Sequence, residues 1–240
     1  MKITHICHSC FLVELSRTLL LFDYFQGPLP VLAPEKALFV FSSHRHHDHY
    51  SPAVWVLSES HPNVFYVLDE NIPARRSANV LPAAPRSRYD WQGLCIETLR
   101  STDEGCAFLV QAEGLWFYHA GDLNWWHWEG EPDEQNAWHD KAFHEELERI
   151  RGRFFDAAFV PLDPRQEENA WWGFVDFLNA CRCDNVFPMH CFDNRAGMLA
   201  YLKRPELAPY LSRIHVEEVW QSCAAVLINP FQKGIFHNEV

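Results

Sequence analysis

The first third of the chain is a series of apolar runs with the length and composition of strands. KITHICHSCFLVEL (2–15), RTLLLFDYF (17–25) and KALFVFSS (36–43) are rich in β-branched, leucine and aromatic residues, which predicts strands there. Ser51 then stands directly before a proline, and a serine cap with proline at the first helical position predicts a short helix for PAVWVLSES (52–60).

Later segments change from strands alone to strands that alternate with helices. From residue 136 to residue 153 the apolar residues Phe143, Leu147 and Ile150 recur at helical intervals, which predicts a helix with one buried face. Strand patterns that alternate with helical ones indicate sheets covered by helices. The remaining predicted strands are 63–69, 94–100, 106–114, 115–122, 156–163, 185–190, 215–220 and 223–229, with helices at 167–180 and near 194–213 and an irregular segment at 73–88.

Length and composition fit a single domain over residues 1–240. The chain is 48% hydrophobic, which is enough for one sizeable core. It shows neither a membrane-spanning apolar run nor the apolar region of a signal peptide near its start, so we expect a cytoplasmic protein without a membrane partner. The formal net charge of −12 argues against a nucleic-acid partner, although a metal ion can create a local positive patch in an acidic protein.

Other chemistries find little support in the motifs. Cys7 and Cys10 have C-x-x-C spacing, but they lie in a predicted strand and the other cysteines are scattered. We therefore expect buried, reduced thiols there. The absence of a G-x-S-x-G elbow, a P-loop and a glycine-rich dinucleotide turn from the sequence argues against serine hydrolases, NTPases and dinucleotide-binding enzymes.

The stretch FSSHRHHDHYSP (41–52) carries a spacing that is specific for metal binding. Its pattern is H-x-H-x-D-H, formed by His44, His46, Asp48 and His49. In an extended chain, residues two apart point the same way, so His44 and His46 can bind one ion while the following turn presents Asp48 and His49 to another. Apolar runs on both sides place the stretch at the edge of the core, and we predict a metal centre there.

Two further polar residues stand at the ends of predicted strands. Asp122 follows LWFY and His190 follows NVFP, and loops at strand ends commonly gather into a site. A single aspartate in such a place is more often a turn residue, so the proposed ligand role of Asp122 depends on the histidine motif. The interleaved Arg45 and His47 are predicted to point away from the ions.

With these motifs the chain resembles the metallo-β-lactamase fold hydrolases. ICHSCFLVELSRTLLLFDYF (6–25) is similar to the opening strands of that family, H-x-H-x-D-H is its signature, and YHAGD and FPMH look like its later ligand motifs. Within the family, the HAGD and PMH forms look most like the branch that contains the ascorbate-6-phosphate lactonases. The resemblance implies an α/β fold, a four-layer αββα sandwich of two mixed β-sheets.

The same resemblance implies a role for each matching residue. Asp122 would bridge two ions, His190 would join Asp48 and His49 on the second ion, and Asp23 would orient a ligand through hydrogen bonds from behind. Asp122 and Asp48 are therefore the predicted catalytic residues.

The chain departs from the family pattern where a further histidine usually completes the first ion site. The corresponding stretch RSTDEGCAFLV (100–110) contains no histidine. Asp103 is the obvious substitute because a carboxylate oxygen can bind zinc or manganese, with Thr102 or Glu104 as weaker alternatives. Alternatively, Asp103 and Glu104 form an ordinary acidic turn and the first site is weak or vacant.

Several other residues leave two readings open. His119 could approach the site or be a satisfied buried histidine, and the tryptophans in NWWHW (124–128) could line a cleft or pack the fold's layers. Asp163 and Arg165, just past a predicted strand, could contact substrate or form a local ion pair.

These observations predict a metal-dependent hydrolase that activates water with one or two divalent ions. Zinc is the first expectation, with manganese or iron as alternatives, and the substrate would be a small ester, lactone or phosphoester. An iron-containing redox enzyme on the same fold and a non-catalytic binding module with a partly lost metal site are the competing hypotheses. Assembly into a homo-oligomer stays open.

Overall fold

The computed structural model describes residues 1–192 and 194–216, and the backbone of 225–227. The helices within these residues are α1 (Leu57–Ser60), α2 (Asp133–Arg149), α3 (Trp172–Ala180) and α4 (Arg195–Tyr201), with 3-10 helices at Pro52–Val56, Pro164–Asn169 and Pro205–Arg213. The strands are β1 (Lys2–Cys7), β2 (Cys10–Glu14), β3 (Thr18–Phe22), β4 (Ala37–Ser42), β5 (Val64–Asp69), β6 (Val80–Ala83), β7 (Arg88–Trp91), β8 (Leu94–Arg100), β9 (Cys106–Ala112), β10 (Leu115–His119), β11 (Phe154–Phe155), β12 (Ala157–Pro161), β13 (Arg182–Cys183), β14 (Val186–Met189) and β15 (Ala225–Leu227).

The strands form two mixed sheets and one small pair. The first sheet has the order β15-β1-β2-β3-β4-β5-β6, and the second has the order β14-β12-β10-β9-β8-β7. In the first sheet β3 to β6 run parallel and the others antiparallel, whereas in the second sheet β10, β12 and β14 run parallel. Strands β11 and β13 pair separately.

The strands carry apolar residues on both of their faces. One face packs against the other sheet, so the two sheets lie face to face. On β4, Phe39 and Phe41 belong to the core between the sheets, and Leu38 and Val40 belong to a second apolar cluster on the outer face. Aromatic rings cross the interface between the sheets, and Phe11 lies 4.5 Å from Phe159 between ring centroids. Burial on both faces explains why these strands read as continuous apolar runs.

Helical segments cover the outer face of each sheet. Val54 of the 3-10 helix Pro52–Val56 joins the outer cluster of the first sheet. Phe177 of α3 stacks on Tyr118 of β10, on the second sheet, with centroids 4.9 Å apart. The predicted four-layer αββα sandwich of two mixed sheets is therefore confirmed. In the part of the chain that the structure describes, no helix combines the length and the apolar character needed to cross a membrane.

The prediction of one continuous strand over 2–15 is wrong at its centre. Cys7 at the end of β1 pairs with Cys10 at the start of β2, and His8 and Ser9 form the turn between them. His8 adopts a φ of 45°, in the left-handed region that tight turns require. The apolar character of both strands hid this turn in the sequence.

Other element boundaries shifted for local reasons. Helix α2 begins and ends earlier than the predicted 136–153, and Gly152, with a φ of 76°, separates it from Phe154, which lies in β11. Strand β6 occupies part of the segment 73–88 that was predicted to be irregular. Of the last two predicted strands, residues 217–220, 223–224 and 228–229 lie outside the described residues.

Many strand ends meet at one edge of the sandwich, and this edge carries the polar motifs. The parallel strands β3 and β4 end there, next to the turn between β1 and β2. Strands β10, β12 and β14 of the second sheet are also parallel, so their carboxyl ends share one edge as well. Asp23, Ser43, His119, Asp163 and His190 all lie at or just beyond these ends.

Gly105 is needed where the loop before β9 meets the end of β4, and its replacement tests this packing. It has a φ of +72°, and an added Cβ would lie 2.0 Å from the backbone oxygen of Ser43. We expect Gly105→Ala to lower the free energy of unfolding by about 2–4 kcal/mol, from left-handed strain plus overpacking. Chemical denaturation measures this loss.

The matched control is Gly93→Ala, in the turn between β7 and β8. Gly93 has a φ of +82° and no atom within 4 Å of an added Cβ, so only strain of about 1 kcal/mol is expected. Equal losses for both variants would show that the close contact with Ser43 does not matter.

Candidate metal centre

Strand β4 delivers the histidine motif directly into the shared edge of the two sheets. His44 and His49 are fully buried, and His46 is partly exposed with 42% of its side chain accessible. His47 is 94% exposed, and Arg45 donates hydrogen bonds to Glu104 at the surface. The alternation expected for this stretch therefore matches the positions of Arg45 and His47.

Asp23 anchors the motif from behind. Its carboxylate accepts hydrogen bonds from the backbone N–H of Ser43 at 2.7 Å, from Ser43 Oγ at 2.8 Å and from His49 Nδ1 at 2.7 Å. Asp23 is fully buried and has a φ of 46°, a strained conformation for a non-glycine residue. The structure thus places Asp23 as the resemblance implied, behind a histidine.

The hydrogen bonds of three histidines leave the same ring nitrogen available. His49 Nδ1 donates to Asp23, and His190 Nδ1 donates to Asp163 Oδ2 at 3.0 Å. Ser43 Oγ donates to Asp23, so it accepts from His44 Nδ1 at 3.0 Å. With the proton on Nδ1, Nε2 of each ring carries a lone pair, which is the tautomer that binds a metal ion.

These side chains form two groups of four, and the ligand atoms within each group lie within 4.8 Å of one another. Asp122 lies between the groups. Its Oδ1 is 3.1 Å from Nε2 of both His49 and His190, and its Oδ2 is 3.6 Å from Nε2 of His44. The first group is His44, His46, Asp103 and Asp122; the second is His8, Asp48, His49 and His190.

Buried polar atoms without a hydrogen-bond partner show that a cation fits here. Among the described residues, the Nε2 atoms of His44, His49 and His190 and Oδ1 of Asp122 are all buried and lack such a partner. Buried polar groups are rarely left in this state, and unsatisfied ones need an explanation such as an ion. Imidazole and carboxylate donors together suit zinc, manganese or iron.

The electrostatics of the second group favour positive charge. Burial opposes ionisation of Asp122, but His190 and His49 hold its pKa well below the usual range. Burial opposes protonation of His190, yet Asp122 and Asp163 raise its pKa to about 9. Burial opposes protonation of His49 as well, yet Asp122 and Asp23 hold its pKa well above the usual value. In the absence of an ion, protons on His49 and His190 would balance the carboxylates, and a divalent ion would take their place.

Asp103 lies where the first group lacks a histidine. Its Oδ2 is 3.4 Å from His46 Nδ1, and its side chain is 46% exposed. Thr102 Oγ1 instead donates to the backbone oxygens of Asp122 and Asn124, and Glu104 pairs with Arg45. Of the three candidates in this loop, the geometry favours Asp103 as the ligand, and that role stays a prediction.

His8 is the group member that the sequence did not reveal. Its side chain is 2% exposed, and its Nε2 lies 3.5 Å from Asp48 Oδ2. Burial, partly opposed by Asp48, lowers its pKa to about 4. Recognition of a turn within CHSC would have pointed to it, because a turn residue at this edge can face the site.

The structure also decides between the alternative roles left open for His119, Asp163 and Arg165. His119 is a satisfied buried histidine, because Nε2 donates to the backbone oxygen of Ser9 at 2.8 Å and Nδ1 accepts from Gly121 at 3.2 Å. Asp163 forms a local ion pair with Arg165 and also orients His190. The sequence did not predict this second role of Asp163.

The loop tryptophans divide between the two readings. Trp126 is buried, lies 5.4 Å from the His190 ring and stacks on Trp128. Trp125 instead packs against Trp172 and His144 behind the loop. One tryptophan pair therefore lines the centre, and the other packs the fold.

Comparison with known proteins agrees with this geometry. The profile of the beta-lactamase superfamily domain matches residues 2–129, which is more than half of the chain. This chain belongs to the beta-lactamase superfamily. The matched region includes β1 to β10, the histidine motif, Asp103 and Asp122.

Relatives within the beta-lactamase superfamily include a protein of Opitutus terrae named metal-dependent hydrolase. It is 33% identical over 143 residues, which are 51% of this chain and 63% of the relative. The match therefore spans about half of this chain and less than two thirds of the relative.

Solved structures share the fold at low sequence identity. A metallo hydrolase from the archaeon Ignicoccus hospitalis is 17% identical, covers 95% of this chain and 99% of its own, and has a TM-score of 0.58. An isothiocyanate hydrolase from Delia radicum gut bacteria is 14% identical, covers 95% and 99%, and has a TM-score of 0.57. Both likenesses support the beta-lactamase superfamily fold of this chain.

Removal of Asp103 tests whether it completes the first group. We expect Asp103→Ala to lower the affinity for the first ion by at least about tenfold. Even a change in a residue that only hydrogen-bonds to a ligand lowers metal affinity by about 10–100-fold. The second ion should remain bound, because the second group does not include Asp103. Titration against a chromophoric chelator, with elemental analysis, measures both ions. Glu104→Ala is the matched control, and the same loss in both variants would contradict the assignment.

Binding of the second ion should depend on pH, because the ion competes with a proton on His190. The pKa of His190 is raised to about 9, so below that pH each binding event must displace a proton. The apparent affinity should rise with pH up to at least about 9, because the pKa of His49 is raised as well. Calorimetry in buffers of different ionisation enthalpy counts the released protons, and a pH-independent affinity with no proton release would refute this.

Proposed function

We propose that the protein is a metal-dependent hydrolase that uses metal-activated water on a small ester, lactone or phosphoester. The observation that carries this proposal is the position of Asp122 between two groups of ligand atoms. Around it lie Nε2 atoms that have no hydrogen-bond partner within the described part of the chain. The name of the Opitutus terrae relative agrees with hydrolysis. The likeness to the ascorbate-6-phosphate lactonase branch supports a lactone or phosphoester, and zinc is the first expected metal.

The proposed ion ligands come from both groups of side chains, and two further carboxylates orient them. His44, His46 and Asp103 would hold one ion, and Asp48, His49 and His190 the other, with Asp122 between them. Bound ions would lower the pKa of water to about 7 and polarise the oxygen of the scissile group. Asp23 and Asp163 fix the imidazole rings of His49 and His190 through Nδ1, so these ligands need no reorganisation when substrate binds.

The rim of the centre supports a polar or anionic substrate. Arg165 is held by Asp163, and its guanidinium lies 4.5 Å from the Phe192 ring centroid and 5.7 Å from that of Trp128. Half of the Arg165 side chain is exposed, so it can meet a carboxylate or phosphate oxygen on a substrate. The aromatic rings would contact the apolar part of the same molecule.

Two other functions remain as alternatives that metal content would separate. An iron-containing redox enzyme would purify with iron and a visible absorption band. A binding module with a partly lost metal site would hold no stoichiometric ion. Two zinc or manganese ions per chain would favour hydrolysis.

Elemental analysis, paired with a panel of lactone, phosphodiester and thioester substrates, tests the hydrolase proposal. We expect hydrolysis of at least one class, and Asp122→Asn should lower kcat by about 10³-fold or more, because the electrostatic arrangement of the centre depends on its charge. His47→Gln is the matched control in the same motif, since His47 is 94% exposed, and it should retain activity. If Asp122→Asn hydrolyses substrate as fast as the parent protein, the activity does not depend on this centre.

A further inference from the structure

His8 differs from the other histidines of the metal centre in the partner of its Nδ1 atom. In His44, His49 and His190 this nitrogen faces a hydroxyl or carboxylate oxygen. In His8 it accepts a hydrogen bond from the backbone N–H of Phe192 at 3.2 Å. A backbone N–H can only donate, so Nδ1 of His8 must carry the lone pair and Nε2 the proton.

The tautomer of His8 is held by its surroundings. Besides the bond from Phe192, the backbone oxygen of His8 accepts from the N–H of His190 at 3.4 Å. The Phe192 ring covers the imidazole with centroids 4.0 Å apart. His8, His190 and Phe192 all have positive φ angles, and such strained residues are kept only where the surrounding structure determines them. A proton on Nδ1 would face the Phe192 N–H donor to donor.

A protonated Nε2 cannot bind a metal ion, although by distance alone His8 belongs to the second group. Among the described residues this buried atom has no hydrogen-bond partner, and 3.5 Å separates it from Asp48 Oδ2, which is longer than a good N–H···O bond. The N–H group of His8 is therefore a fixed donor that faces the centre, and no residue that the structure describes accepts a hydrogen bond from it. Such a group has the chemistry to bind an oxygen atom of a ligand.

We propose that His8 is not a metal ligand but a catalytic residue, a neutral imidazole whose Nε2–H donates a hydrogen bond to an oxygen of the substrate on which negative charge develops. This assignment of a substrate contact rests on the proposed hydrolase function. The tautomer of His8 does not rest on it. No proton is transferred, because a neutral imidazole that gave up its proton would become an anion. The donor acts as part of an oxyanion-binding arrangement.

The tautomer can be read directly by long-range ¹H–¹⁵N NMR of the zinc-loaded protein labelled at histidine. His8 should show a protonated Nε2 and an unprotonated Nδ1 that is free of zinc, and His8→Gln assigns its signals. His119 is an internal reference for the same tautomer, because its Nδ1 also accepts from a backbone N–H. His49 and His190 should show the opposite pattern. A zinc-bound Nε2 in His8 would overturn the proposal.

Metal content separates a donor from a ligand independently of activity. His8→Gln keeps an N–H group at a similar reach and should retain the zinc stoichiometry of the parent, with affinity changed by less than about tenfold. His190→Gln, a change at a proposed ligand, should lose the second zinc. Weakening by about 10–100-fold in His8→Gln would instead indicate a ligand or a residue that orients one, and would overturn the proposal.

Kinetics on the best substrate of the panel tests the contact with substrate. His8→Ala should lower kcat by about 10²-fold with a smaller change in KM, and His8→Gln should recover part of the loss. An unchanged kcat in His8→Ala would overturn the catalytic assignment. If no substrate class is hydrolysed, the proposed function fails, while the NMR and zinc results still decide whether His8 is a ligand.

Discussion

The metal centre depends on the burial of one carboxylate, that of Asp23. A buried carboxylate is stable only when hydrogen-bond donors surround it, and Asp23 finds them in the N–H and hydroxyl of Ser43 and in His49. These bonds join the end of β3 to the end of β4. They fix the tautomer of His49 directly and that of His44 through Ser43, so the same interaction that closes the fold also prepares two ligand atoms.

The second sheet supplies a second buried carboxylate that orients a histidine. Asp163, just past β12, is fully buried and accepts from His190 Nδ1, while Arg165 partly balances its charge. Two orienting carboxylates, one from each sheet, thus point imidazole nitrogens at Asp122. Because each carboxylate belongs to a different layer, packing of the two sheets decides the separation between the ligand atoms. This explains why the centre lies at the edge where the strands of both sheets end.

The histidines of the metal centre differ in tautomer, and the hydrogen-bond partner of Nδ1 sets the tautomer of each one. His190, whose Nδ1 faces a carboxylate oxygen, exposes a lone pair on Nε2, and His8, whose Nδ1 faces a backbone N–H, exposes a proton. The tautomer of His8 is set by the backbone N–H of Phe192 and by the turn at His8, not by the imidazole itself. Proximity to a metal site is therefore a weaker guide to the role of a histidine than the hydrogen bond on its far nitrogen.

The sequence by itself determined most of the strands and the H-x-H-x-D-H motif, because these depend on local periodicity and on spacing within a few residues. The αββα class followed from the family resemblance that the motifs carry. The sequence also placed Asp122 and His190 at strand ends. Only the tertiary structure decided the roles of His8 and Asp163 and the position of Asp103. These residues lie far apart in the chain, and the hydrogen bonds that set their tautomers or charges come from other strands. Contacts of that kind leave no local pattern in the sequence, since any strand could have supplied the partner.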